Sequence, residues 1–336
     1  AATSALCFFD GEKTRTVWCT FAAVATLLFL LAAFRPIGLD QDSENYVQYY
    51  YGNTEQILEF TFTAISALVS FFADSPRGMF VVYALLGILL HTWAVTRSTP
   101  FWLLALVVWM GNFYLYQEVT QIRVAVAAGL FLVGLSYLAK GEKRTYLLFS
   151  LAAACFHYSA FVLPLLTFFG SRPLTLRGRL IIGAIPLLGY LLFFGGFDPI
   201  ASLPIPWIQE KLWIYERLRD SGMAGDAINV FNIVYVMRLL VFYLLLWKYD
   251  VIKEQAPNLS LLLKVFAISY FCFTALGALP VMAFRYAELF GVVEIVMVPY
   301  LALTMKPEAF GKSLVIVFAF GCMMLNVFYN ELLKLS

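Results

Sequence analysis

The sequence predicts an all-α, polytopic membrane protein. Hydrophobic residues make up 62% of its 336 residues, charged residues make up only 13%, and the mean hydropathy is +0.82. A typical globular protein is roughly 45–50% apolar and about 25% charged, so water is not the solvent of this chain. The net charge is +2, and no long basic run offers a surface for a nucleic-acid backbone. Nucleic-acid binding is therefore excluded.

Eleven apolar segments recur along the chain. The first follows Lys13 and Arg15 and has no small-residue cleavage site after it, so we expect an uncleaved anchor rather than a signal peptide. At about 1.5 Å per residue, its 18 residues would cover roughly 27 Å, the thickness of a bilayer core. The segments are 17–34, 57–73, 79–96, 101–115, 124–139, 146–169, 180–197, 230–247, 261–279, 286–304 and 313–329.

Basic residues set the expected orientation, because short cytoplasmic loops collect Lys and Arg. Basic clusters lie at 140–144, 172–179 and 248–253, and only segment 146–169 separates the first two. If both clusters are cytoplasmic, that segment must turn back. Its 24 residues carry a polar patch at His157, so we predict a re-entrant hairpin with His157 at its turn, in the wall of a cavity.

Segment 57–73 carries Glu59 and follows an acidic stretch, so it is also predicted to be interfacial or re-entrant, on the outer side. The result is a single integral membrane domain over residues 1–336, with about nine full crossings plus two re-entrant or interfacial helices. The N-terminus is inside and the C-terminus outside. The main outer loops are 35–78 and 198–229, and the second contains an amphipathic stretch, 207–219, expected to lie flat on the membrane.

Ionisable groups near the bilayer are costly, so each is a functional candidate. The orientation sends four groups of them to the outer face: Arg123 with Gln121; Arg285 with Tyr286 and Glu288; His157 with Tyr158 and Ser159; and Arg35, Asp40, Asp42 and Tyr46 of the first outer loop. Arginine forks bind phosphate or diphosphate, and a histidine or aspartate accepts a proton from a sugar hydroxyl. Alternatively, the arginines only reach for the membrane surface and His157 only packs.

Four motifs, in order, resemble the EpsG/Wzy-type bacterial polysaccharide polymerases, which join repeat units of O-antigen, capsule or exopolysaccharide. Residues 38–46 resemble that family's first-loop signature, in which a Tyr follows an Asp by four residues. The other three are Gln121-Ile122-Arg123-Val124-Ala125, Phe156-His157-Tyr158-Ser159-Ala160 and Ala283-Phe284-Arg285-Tyr286. Val124 departs from the pattern, because the family often has Gln at this position.

The resemblance implies a glycosyltransferase of the bacterial inner membrane, C-type in fold, with its active site facing the periplasm. Its substrates would be undecaprenyl-diphosphate-linked glycans, and a chain-length-determinant protein is a possible partner. Arg123 and Arg285 would bind the diphosphate. His157 would be the catalytic base. Asp42 or Asp40 would orient the acceptor, or would serve as the base in place of His157. The remaining outer-face groups would contact substrate. No cofactor or metal is expected, since the sequence has no phosphate-binding Gly-rich motif and no metal-ligand cluster.

Two other functions fit a polytopic membrane protein. A sugar-modifying membrane O-acyltransferase also has about ten spans with a histidine and an arginine, but its acyl donor should enter from the cytoplasmic side. A flippase or transporter for a lipid-linked sugar should more often show internal repeats, and none is visible. Loss of the gene would leave single repeat units for a polymerase, no surface sugar for a flippase, and unacetylated full-length chains for an acyltransferase.

Overall fold

The structure is a computed structural model that describes residues 7–10, 14–54, 58–73, 75–196, 213, 217 and 228–334. Every regular element of these residues is helical, as the composition predicts. The α-helices are α1 (Arg15–Phe34), α2 (Ser43–Tyr50), α3 (Phe60–Phe72), α4 (Arg77–Ser98), α5 (Trp102–Asn112), α6 (Ile122–Leu138), α7 (Lys143–Phe156), α8 (Leu176–Phe194), α9 (Ile233–Trp247), α10 (Tyr249–Ile252), α11 (Leu259–Ala275), α12 (Pro280–Gly291), α13 (Glu294–Met297) and α14 (Glu308–Phe328).

Other helix types connect several of these. A π-helix, Leu115–Thr120, joins α5 to α6, and 3-10 helices follow α7 (Tyr158–Phe168) and α13 (Val298–Thr304). Each of the eleven predicted apolar segments therefore corresponds to one helix or to two or three consecutive helices. The outer loop 198–229 and its amphipathic stretch lie almost wholly outside the described residues.

Five helical stretches of the described chain are long and apolar enough to cross a membrane, and six apolar helices are shorter. The five are Arg15–Phe34, Arg77–Ser98, Leu176–Phe194, Pro280–Thr304 and Glu308–Phe328. Helix α3 has 13 residues, about 20 Å at 1.5 Å per residue, which is too short to cross. A multi-pass membrane protein follows, while the count of nine crossings stays a prediction.

The chain forms two compact units. The first contains residues 1–171, 251–259 and 294–336, and the second contains residues 172–250 and 260–293. In the first unit α4 packs against α1 and α6, α6 packs against α7, and α14 packs against α5. In the second unit Tyr243 donates to the carbonyl of Gly183 (2.8 Å) and Ser269 donates to that of Ala287 (2.6 Å), tying α9 to α8 and α11 to α12.

The two ends of α14 have different neighbours in the first unit. Lys312, four residues after its first residue, donates to the carbonyl of Asp10 (2.7 Å). Beyond its other end, Leu333 forms an isolated β-bridge with Asp40 of the first outer loop. Residues 8–10 and Leu333 thus lie beside opposite ends of one membrane-length helix, while the sides of the membrane on which the termini lie stay a prediction.

The end of the first unit that contains Asp40 also collects most of the candidate residues. Arg77, at the start of α4, donates to the carbonyl of Arg35, at the end of α1. Tyr46 of α2 joins Phe80 of α4 and Ile122 of α6 in one buried cluster, against which Phe156 of α7 packs. Aromatic packing therefore brings the first outer loop to the start of α6 and the end of α7.

Candidate functional site

The chain turns at His157. Helix α7 ends at Phe156, His157 is extended (φ −152°, ψ 124°), and a 3-10 helix begins at Tyr158. The two legs fold against each other, since the hydroxyl of Tyr146 donates to the carbonyl of Leu163 at 2.6 Å. The predicted turn at His157 is confirmed.

Glu59 joins this turn to the start of α6. One carboxylate oxygen, Oε2, forms an ion pair with Nη1 of Arg123. The other, Oε1, lies 3.2 Å from Nδ1 of His157 and accepts from the backbone N–H of Tyr158 at 3.4 Å. The contact with His157 has ion-pair distance without hydrogen-bond alignment. The side chain of Glu59 is 3% exposed, against 16% for Arg123 and 13% for His157, so only the two basic groups are open to a ligand.

Three aromatic rings surround the guanidinium of Arg123. Its central carbon lies 5.4 Å from the ring centre of Tyr46, 5.9 Å from that of Tyr49 and 5.7 Å from that of Phe62. Cation–π contacts at this distance favour a fixed guanidinium. Its Nε is buried and has no hydrogen-bond partner among the described residues, while 16% of the side chain is exposed beside the ion pair with Glu59.

The charges in this cluster follow from their surroundings. Burial raises the pKa of Glu59, but the contact with His157 and the charge of Arg123 outweigh it and lower the pKa to about 2. Burial raises the pKa of Tyr46 to about 12, although the charge of Arg123 opposes it. At neutral pH the cluster therefore contains an ionised carboxylate, a guanidinium and a neutral phenol.

This geometry suits His157 to proton transfer. A carboxylate beside Nδ1 favours the tautomer with a proton on Nδ1, which leaves Nε2 as the basic nitrogen. The turn that presents the ring is tied down, because Thr61 of α3 donates to the carbonyl of Cys155 (2.6 Å) and Tyr158 donates to that of Leu58 (3.1 Å). The arrangement is an imidazole on a fixed turn, beside a carboxylate and a guanidinium.

The first outer loop places its two aspartates differently. Asp40 is fully buried, binds Nε of Arg35 at 3.0 Å, and accepts from the backbone N–H groups of Asp42 (3.0 Å) and Ser43 (2.8 Å) at the start of α2. These contacts occupy both oxygens of Asp40. Asp42 is half-buried and acts electrostatically on Tyr46, which borders Arg123. Of the two aspartates, Asp42 is therefore the one whose charge acts on the residues around Arg123.

Two further predicted residues flank the cluster in the first unit. Gln121 stands between the π-helix and α6, where its side-chain amide donates to the hydroxyl of Tyr116 at 3.0 Å. The hydroxyl of Ser159, two residues beyond His157, is buried without a hydrogen-bond partner among the described residues.

The late motif, Ala283-Phe284-Arg285-Tyr286, belongs to the second unit. Arg285 is exposed and Tyr286 is half-buried on α12. One turn on, Glu288 accepts from Tyr235 (2.5 Å) and Arg238 (2.8 Å) of α9. The carboxylate of Glu288 therefore joins α9 to α12, while Arg285 is the accessible charge of the motif.

The four motifs lead to a family, and a comparison of the whole sequence decides which. A sequence model of the EpsG family matches residues 18–335, nearly the whole chain. The chain belongs to the EpsG family. It matches no curated protein and no solved structure. EpsG membership makes it a membrane protein of polysaccharide biosynthesis with glycosyltransferase-like, polymerase-type character.

The central carboxylate of this EpsG-family chain was not among the residues selected from the sequence. In the sequence, Glu59 indicates only that segment 57–73 does not span the membrane as a regular transmembrane helix. An acidic group retained in an apolar segment is itself a signal of function, and it would have identified Glu59. Its partners lie 64 and 98 positions further along the chain, so spacing could not reveal them.

A second acid–imidazole pair was missed in the same unit. Nδ1 of His91 lies 3.1 Å from Oε1 of Glu118, and both side chains are almost fully buried. The imidazole stacks on Trp109, with ring centres 4.6 Å apart. Gly87 allows this packing, because a Cβ there would lie 2.2 Å from Oε2 of Glu118. The pair ties the π-helix that precedes Arg123 to the middle of α4.

Proposed function

We propose that this protein polymerises undecaprenyl-diphosphate-linked repeat units, at the outer face of the bacterial inner membrane. The observation that carries the proposal is the single carboxylate of Glu59 between Arg123 and His157. It unites a diphosphate-binding group with an oriented base, the two functions that glycosyl transfer from a lipid diphosphate needs. Membership of the EpsG family supports the same chemistry.

His157 is the proposed general base. Nε2 takes the proton of the acceptor hydroxyl while the oxygen of that hydroxyl bonds to the anomeric carbon of the donor sugar. The bond from that carbon to the diphosphate oxygen breaks, and the diphosphate leaves with the electron pair. Glu59 stays ionised and stabilises the imidazolium that forms, as an acid behind a histidine does in other general-base pairs.

Arg123 is the proposed ligand of the departing diphosphate. Its ion pair with Glu59 uses Nη1, and 16% of the side chain stays exposed, so part of the planar fork is open to phosphate oxygens. Because negative charge grows on the diphosphate as the bond breaks, a fixed cation there favours the transition state. Arg285, in the second unit, is proposed from the family resemblance to bind the diphosphate of one of the two lipid-linked substrates.

Asp42 is proposed to orient the acceptor sugar. Asp40 is a weaker candidate for this role, because its oxygens already bind Arg35 and the start of α2. The outer-face orientation rests on the distribution of basic loops and on the common end of the first unit at which Arg35, Arg123 and His157 lie.

The test compares two arginines in the same unit. Arg97, at the far end of α4, also packs on aromatic rings, 4.4 Å from that of Tyr137, and donates to Ser136 at 3.3 Å. Arg123→Lys keeps the charge but loses the fork, so we expect polymerisation to fall about 100-fold, or about 2.7 kcal/mol. Arg97→Lys should leave it within about twofold.

Two measurements report the outcome. The glycan ladder of cells carrying each variant should collapse to single repeat units for Arg123→Lys and stay normal for Arg97→Lys. Purified protein in proteoliposomes, supplied with isolated lipid-linked repeat units, gives the rate. A normal ladder from Arg123→Lys would remove the proposed role. Loss of all surface sugar would favour a flippase, and unacetylated full-length chains would favour an acyltransferase.

A further inference from the structure

A cavity lies between α2 and α3, beside the Arg123 cluster. Its volume is about 450 Å³, within the range of about 300–1,000 Å³ that is usual for small-molecule sites. The two helices that enclose it are held together, since the hydroxyl of Tyr50 in α2 donates to the carbonyl of Ala73 at the end of α3 (3.4 Å). The cavity is therefore a feature of the folded loop between α1 and α4.

The two walls of the cavity differ in chemistry. One wall is aromatic, with Tyr49 and Tyr50 of α2 and Phe62 at the start of α3. The other contains three hydroxyl-bearing residues of α3, which are Thr63, Ser66 and Ser70. These three residues have helical spacing, which puts them on one face of α3. The hydroxyls of Ser66 and Ser70 donate to Sδ of Met79 (3.9 Å) and to the carbonyl of Ala67 (2.9 Å), so their oxygens remain as acceptors. The large apolar side chains of the same helix, including Phe60 and Phe71, are exposed elsewhere.

This combination selects a neutral polyol. A sugar ring offers apolar C–H faces, which stack on aromatic rings, and an edge of hydroxyls, which exchange hydrogen bonds with serine and threonine. A phosphate would require cations, and no charged side chain is among the described residues that line the cavity. A polyprenyl tail would gain nothing from the row of hydroxyls and would desolvate it at a cost.

The position of the cavity relates it to the cluster. Tyr49 and Phe62 line the cavity and also lie within 6 Å of the Arg123 guanidinium, at 5.9 and 5.7 Å. Two of the rings that line the cavity therefore also border the guanidinium. A diphosphate on Arg123 would thus place the sugar that it carries at the mouth of the cavity.

We propose that the cavity between α2 and α3 binds the diphosphate-proximal sugar of a lipid-linked repeat unit and selects for it. This inference rests on the proposed function of Arg123, and it adds a specificity site formed by Tyr49, Tyr50, Phe62, Thr63, Ser66 and Ser70. The sugar stacks on the aromatic wall, and the hydroxyl wall reads its substituents.

Filling the cavity tests this directly. Ala67 lines it, whereas Ala64, one turn earlier on α3, is exposed and is not among the lining residues, so Ala67→Trp and Ala64→Trp are a matched pair. Two probes are titrated against purified protein in nanodiscs: the isolated undecaprenyl-diphosphate-linked repeat unit, and undecaprenyl diphosphate without sugar. Circular dichroism and thermal unfolding check that each variant is folded.

We expect Ala67→Trp to weaken binding of the repeat unit about tenfold or more, because a filled cavity removes the sugar contacts, and to leave undecaprenyl diphosphate within about twofold. Ala64→Trp should change neither. If Ala67→Trp does not fold, the double variant Ser66→Ala with Ser70→Ala removes the hydroxyls and should produce the same selective loss. Unchanged binding of the repeat unit, or equal weakening of both probes, would overturn the sugar site.

Arg123→Lys separates this inference from the proposed function. It should weaken binding of both probes, since each carries the diphosphate. If it weakens neither while Ala67→Trp still acts on the repeat unit alone, the diphosphate role of Arg123 fails and the sugar site stands.

Discussion

Replacing Glu59 with glutamine removes one charge and almost no volume from the centre of the site. A pKa near 2, instead of the ordinary 4.5, corresponds at about 1.36 kcal/mol per pKa unit to about 3 kcal/mol in favour of the folded carboxylate. The side chain is nearly buried, so little of this is lost to solvent screening. Removing a partner of a buried pair costs about 3–5 kcal/mol in other proteins, which agrees.

The catalytic effect should be of similar size. Glutamine no longer stabilises the imidazolium of His157 and no longer pairs with Arg123, so we expect the polymerisation rate of Glu59→Gln to fall about 100-fold. The assay is the proteoliposome rate with saturating lipid-linked repeat units, alongside the cellular ladder. Glu44→Gln is the control, because the side chain of Glu44 is 66% exposed and its one ion pair, with Lys334, is long at 3.8 Å.

The same variant gives a pH signature. The pKa of Glu59 is lowered on folding, so its stabilisation is complete above about pH 4.5 and disappears as the pH falls towards 2. Thermal unfolding in detergent should show the wild type more stable than Glu59→Gln at pH 7, with the gap closing between pH 4.5 and 2. A variant with wild-type rate and a constant gap would refute the reasoning.

Two further predictions concern packing and the first outer loop. Gly87→Ala should lower stability by about 1–3 kcal/mol, because the new Cβ would clash with Glu118. Gly321→Ala is the control: its Cβ would enter open space in α14 and should raise stability by about 0.5–1 kcal/mol. Thermal unfolding measures both changes. Asp40→Asn should lower stability by about 1–3 kcal/mol and keep the polymerisation rate per folded molecule. Asp42→Asn should lower the polymerisation rate and change the stability less. Equal effects of the two variants on both quantities would contradict this division.

The helices could be predicted from the sequence because apolar runs are local. Lipid requires each run to be nearly continuous, and the polar patch at His157 interrupts one run where the helix ends. The alternation of loops also predicts that Arg35, Arg123 and His157 share one face, and they do lie at one end of the first unit, while the outer side of the membrane stays a prediction.

The contacts within the site could not be predicted in the same way. The pairing of Glu59 with Arg123 depends on how α3 packs beside α6, and no periodicity records that. His91 was not predicted as a site residue because it lies inside the continuous apolar segment 79–96, away from the loops. Asp40 and Asp42 are both plausible bases by residue type, and only the structure shows that both oxygens of Asp40 are held by Arg35 and the start of α2.

The division of the chain also has a consequence for its synthesis. Helix α5 is made early, yet the neighbour that packs most closely on it is α14, near the end of the chain: a Cβ at Gly111 would lie 2.2 Å from the carbonyl of Ala319, and Asn326 donates to the carbonyl of Gly111 at 3.1 Å. A ribosome must therefore insert the second unit before the first can close. We expect products truncated before residue 308 to leave this apolar face of α5 without its partner and to be prone to aggregation.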